Sequence, residues 1–100
     1  MKIVQVMPKS ANRSSLKALL KAKERSLRGR PTAFSRQREG RWVHNTYPGW
    51  INWDETRGGV LVAEVQTRKE GAEWQLLTAF VGYLDRHFAE YIESISISYR

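Results

Sequence analysis

Lys17, Lys21, Arg25 and Arg28 fall at the three- and four-residue steps that place side chains on one helical stripe. Arg30, Arg36, Arg38 and Arg41 follow directly along the chain. Several cations on one face, continued on a segment able to adapt, suit a phosphate backbone. If about five of them met phosphates on duplex DNA, binding would weaken with salt at a log–log slope near −4.5. The competing expectation is a solvated face, paired with carboxylates of the same chain or of an acidic protein partner. Residues 9–41 carry eleven basic residues against Glu24 and Glu39, a net +9, while residues 42–100 carry a net −3. This asymmetry points to an anionic partner or to head-to-tail self-complementarity, while the serine face of the Ser94–Tyr99 stretch is a candidate surface for self-association as a homodimer. No recognised DNA or RNA motif names a particular nucleic acid.

A second constellation is aromatic. Trp42, Tyr47, Trp50 and Trp53 lie within twelve residues, around a Pro48-Gly49 turn. Such a density offers stacking faces for unpaired bases, or the walls of a small-molecule pocket that His44 would share. Trp42 and Trp53 are also suited to a core, which leaves Tyr47 and Trp50 as the exposed pair at the turn.

The remaining chemistry is thin. No cysteine is present, so disulfide, thiolate and Cys-based metal chemistry are excluded. His44 and His87 have no metal-binding or acid–base spacing around them, and no P-loop, HExxH or nucleophile–base pair occurs. The expectation is a non-enzymatic binding protein, with no catalytic residues, no metal and no cofactor. Glu64, in an apolar stretch, is expected to pair with Arg41 or Arg68. No apolar run reaches the roughly 20 residues a bilayer requires, so no membrane partner is expected and the cytoplasm is the default compartment.

These residues need elements to hold them. Leu77, Phe80, Val81, Leu84, Phe88 and Tyr91 share a helical face within a long helix starting at Glu73. Ser94 to Tyr99 then alternates strictly, as a strand does. Upstream, Lys2–Met7 reads as a strand ended by Pro8. Ser14 or Ser15 is placed to cap a helix carrying Leu16, Leu19, Leu20 and Leu27, which Gly29 and Pro31 would stop. Residues 29–40 show no period and read as a mobile loop. Arg41–Thr46, Trp50–Trp53 and Val60–Thr67 read as strands, the last covered on both faces because Val60-Leu61-Val62-Ala63 is continuously apolar. Gly82 reads as a point of close backbone approach inside the long helix.

One hundred residues make a single domain, residues 1–100, able to bury roughly 60–70% of its unfolded surface. The fold class is α+β: a two-layer sandwich with an antiparallel sheet of four or five strands and two helices on one face. The element order β-α-β-β-α-β is ferredoxin-like, with a double-stranded-RNA-binding-domain-like arrangement as the alternative.

Overall fold

The computed structural model describes residues 1–27, 33–69 and 71–100. Arg28, Arg30, the Gly29–Pro31 helix stop and Glu70 lie outside these. The chain runs through β1 (Lys2–Pro8), α1 (Leu16–Ser26), β2 (Phe34–Arg38), β3 (Arg41–His44), β4 (Trp50–Glu55) and β5 (Leu61–Gln66). It continues through α2 (Glu73–Phe88), a 3-10 turn (Ala89–Tyr91) and β6 (Ile92–Tyr99). The strands form one sheet in the order β2-β3-β4-β5-β1-β6, and every neighbouring pair is antiparallel.

The protein is therefore α+β, with six described strands rather than four or five. Four of them form a meander between the two helices, where the ferredoxin-like order has two and the double-stranded-RNA-binding alternative has three. The additional strand is β2, inside the stretch read as a mobile loop. Its alternation was hard to see because its inward residues are Phe34 and Arg36. An arginine facing the core side breaks the hydrophobic pattern, and here a buried carboxylate on α1 compensates it.

The register explains which face is covered. Val4 and Val6 of β1 stand beside Ala63 and Leu61 of β5, and Ile51 and Trp53 of β4 stand beside Val65 and Ala63. These side chains are buried together with Leu16, Leu20 and Leu27 near α1 and with Leu76, Leu77, Phe80, Tyr83, Leu84 and Phe88 of α2. Both helices thus sit on one face, as expected. Burying each large apolar side chain contributes about 1.5–3 kcal/mol. Ser15 caps α1, its hydroxyl accepting the Ala18 N–H at 3.1 Å. The 3-10 turn ends the second helix three residues before the strict serine–isoleucine alternation begins.

The opposite face of the sheet is not covered by either helix. Val62, Glu64 and Gln66 of β5 are half-buried there, so the expectation of a strand buried on both faces is corrected. Within the apolar run Val60–Ala63, Leu61 and Ala63 face the core while Val62 is half-buried on the open face. Ser94, Ser96 and Ser98 of β6 line that face beside Met7, Gln5 and Ile3.

Among the described residues a Cβ at Gly82 would meet the Arg86 Nη1 atom alone, at 3.5 Å, so the close backbone approach read from the sequence is not seen among them.

Candidate functional site

The basic stripe is built on α1, but two of its cations, Lys17 and Lys21, are engaged from within the chain. Lys17 Nζ stands 2.9 Å from Asp54 at the end of β4, and Lys21 Nζ stands 2.5 Å from Glu39 in the β2–β3 turn. The hydrogen bond and charge of Asp54 raise the Lys17 pKa. Reciprocally, Lys17 lowers Asp54 and Lys21 lowers Glu39, each through its hydrogen bond first. Arg36 reaches the buried Glu24 at 3.3 Å. Glu24 also accepts the Trp42 indole N–H at 2.8 Å and the Gly40 backbone N–H at 3.2 Å.

Arg25 borders a cleft of about 220 Å³ together with Lys21 and Arg36, but Glu24 and Glu39 line it as well. This part of the surface is of mixed sign. Arg25 and Arg38 are exposed, and neither has a carboxylate within ion-pair distance among the described residues. The described candidate phosphate contacts therefore do not form one bare cationic face. Three are paired, two stand free, and Arg28 and Arg30 lie outside the described residues.

The eighth, Arg41, belongs elsewhere. It lies on the open face of the sheet, donating from Nε to Asn52 Oδ1 at 2.8 Å. Its guanidinium carbon stands 5.1 Å from the centre of the Trp50 ring, and that of Arg68 stands 6.0 Å from it. Trp50 pairs with Gln66 across the β4–β5 ladder. Arg68, two residues beyond Gln66, is thereby carried to the Trp50 side of the sheet. The Trp50 indole N–H is shielded from solvent and finds no acceptor among the described residues, so the part of the half-buried side chain that faces outward is the ring.

Gly49 holds this corner closed behind Trp50. Its φ is +115°, and a Cβ there would lie 2.2 Å from the Gln66 carbonyl, so only glycine fits. The result is a cleft of about 400 Å³ bordered by Gln37, Arg41, Val43, Pro48, Trp50 and Arg68. It presents a π-face with two guanidinium groups, and it can receive a planar group bearing negative charge.

The four aromatic residues at the turn thus separate. Trp42 and Trp53 are core residues, their rings edge-to-face at 5.9 Å. They do not form a pocket with Trp50. Tyr47 stacks on His44 at 4.7 Å and packs against the core. His44 faces the helix side of the sheet, edge-on to Phe34 at 4.8 Å. Its Nδ1 accepts the Thr46 and Tyr47 backbone N–H groups at 3.0 and 3.2 Å, and burial pushes its pKa down. His44 is thereby a neutral structural acceptor that fixes the start of the turn.

Glu64 lies on the open face between Asn52 and Ile3, and no Arg or Lys reaches ion-pair distance of it among the described residues. The expected pair with Arg41 or Arg68 is not formed, because both guanidinium groups are turned to Trp50. Arg68 is the residue that sequence reasoning did not place at the site. It is eighteen residues from Trp50, and only the β4–β5 register joins them.

Among the described residues, no three His, Asp or Glu side chains converge as a metal site, and no helix is long and apolar enough to cross a membrane. Comparison with protein-family models, with curated proteins and with solved structures gave no match.

Proposed function

We propose that this is a non-enzymatic, single-stranded nucleic-acid-binding protein whose contact surface is the open sheet corner around Trp50, extended toward Arg38. The observation that carries this reading is the Trp50 ring on the uncovered face with the Arg41 and Arg68 guanidinium groups over it. An unpaired base presents a π-face and a phosphate together, the two features this corner complements. A base entering the stack takes the place of one guanidinium, which then meets the adjoining phosphate. The α1 stripe contributes to the general field of a +7 chain, while its Lys17 and Lys21 pair with Asp54 and Glu39.

The test is titration of a fluorophore-labelled single-stranded RNA or DNA at low salt. Trp50→Ala should weaken binding roughly tenfold, since stacking is worth about 1–3 kcal/mol per base. Lys17→Ala with Lys21→Ala should change it far less. The site assignment fails if Trp50→Ala leaves affinity intact while charge reversal of Lys21 and Arg25 abolishes it. The nucleic-acid reading itself fails if no single-stranded or duplex oligonucleotide is retained at low salt.

A further inference from the structure

The two edges of the sheet are unlike. The outer strand β2 carries Arg36 and Arg38, and its register shifts between them, two devices that keep an edge from pairing with another chain. The other outer strand, β6, has neither charge nor proline from Ser94 to Tyr99. It is also regular over that span in its pairing with β1.

Its free side can be assigned. The Arg100 N–H donates to the Met1 carbonyl at 3.0 Å, so residue 100 directs its backbone groups toward β1. Alternate residues of an antiparallel strand point their backbone groups to opposite neighbours. Ser98, Ser96 and Ser94 therefore also face β1, and Tyr99, Ile97 and Ile95 direct their N–H and C=O groups outward at the sheet edge. The same three residues carry apolar side chains on the helix-bearing face, where Ile97 is 37% and Tyr99 is 69% exposed.

We propose that β6 is a homodimer interface, in which two copies of this chain pair their β6 strands antiparallel about a two-fold axis at Ile97. Such pairing sets Ile97 opposite its own copy and Ile95 opposite Tyr99 of the second copy, with about six new backbone hydrogen bonds. The serines stay on the open face, and the helices of both copies stay on the other. The ends are complementary, because antiparallel pairing carries Glu93 of each copy to the Arg100 end of the other. Two chains of net charge +7 thus meet along an uncharged span flanked by opposite charges. The partner is a second copy because the pattern from Ile95 to Tyr99 maps onto itself in this register, polar on polar and apolar on apolar.

The full chain is tested by light scattering over a range of concentrations and by residue-resolved amide hydrogen exchange. The expected mass is twice 11.6 kDa, with the Ile95, Ile97 and Tyr99 amides exchanging as slowly as those of Ser96 and Ser98. Ile97→Lys should weaken self-association at least tenfold while circular dichroism shows the fold retained. Should that variant fail to fold, exchange in the unaltered chain decides alone. A monomer at the highest concentration reached, with those three amides exchanging freely, overturns the proposal. A dimer with the same three amides unprotected overturns it too, since another surface then holds the copies together. Protection that appears only when a foreign strand-forming peptide is added assigns the edge to a different partner and also overturns it.

Discussion

Glu24, on the buried side of α1, accepts the indole N–H of Trp42 at 2.8 Å. The same carboxylate takes the Gly40 N–H at 3.2 Å and pairs with Arg36 at 3.3 Å. One side chain thus fastens the first helix to both strands of the β2–β3 hairpin and to the turn between them. Glu24 is the buried charged residue among those described, and its charge is matched by an arginine that faces inward from β2.

Removing this carboxylate should be costly. Glu24→Ala leaves Arg36 and the Trp42 N–H without their acceptor, and breaking a buried pair costs roughly 3–5 kcal/mol. Glu24→Gln keeps one acceptor oxygen and should cost less, about 1–3 kcal/mol. Urea unfolding monitored by tryptophan fluorescence measures both. A loss below 1 kcal/mol for the alanine variant would show that the hairpin is held by packing alone.

This pair also shows where sequence reading stopped. The helix face of Leu16, Leu20 and Leu27 and that of Leu77, Phe80, Leu84 and Phe88 were legible because apolar spacing is a local signal. The α+β class followed from them, as did the strand at the C-terminal end. Glu24 carried no such signal, since a glutamate in a basic helix reads as one more surface charge. The β2 strand was hidden for the same reason, because the residue answering Glu24 is Arg36. At the Trp50 corner, Arg41 and Trp50 were visible as candidates, but the register that adds Arg68 is a long-range property of the sheet.

Gly82 offers a test of the opposite sign. It lies within α2, where among the described residues a Cβ would make ordinary contact with the flexible end of Arg86 at 3.5 Å. Gly82→Ala should therefore stabilise the protein by up to about 1 kcal/mol, through helix propensity and a less disordered unfolded chain. Thermal and urea midpoints should both rise. A fall in either would mean that a neighbour needs the space.

His44 predicts a dependence on pH. Burial depresses its pKa in the folded state, and two backbone N–H groups already occupy Nδ1, the site the second proton would take. The unfolded chain, with a histidine near the ordinary 6.5, binds that proton first. Stability is therefore fully present above that value and declines as the pH falls below it, levelling once the folded-state pKa is passed. His87, also lowered by burial and by Lys23 and Arg86, adds in the same direction. Asp54 and Glu39, lowered by their lysines, act in a separate and more acid window. Urea midpoints between pH 7.5 and 5 should fall in the parent, on the scale of roughly one proton per depressed histidine. They should fall less in His44→Gln. An identical fall in both would assign the dependence to His87.

Salt separates the two cationic regions. If the α1 stripe met a phosphate backbone, Lys17 and Lys21 would first have to leave Asp54 and Glu39, at distances of 2.9 and 2.5 Å. At the sheet corner, Arg41 and Arg68 face an uncharged ring, and Arg38 stands free among the described residues. These three cations at the corner can meet phosphates without breaking an ion pair, since no carboxylate among the described residues pairs with them. For a single strand, three neutralised phosphates give a log–log salt slope near −2, against about −4 for six or more contacts spread along the stripe. Arg41→Gln with Arg68→Gln should flatten the slope by more than one unit and weaken binding at low salt. Lys17→Gln with Lys21→Gln should leave the slope nearly unchanged, because those charges are already neutralised within the chain. The reverse pattern in the same titrations would return the contact surface to α1.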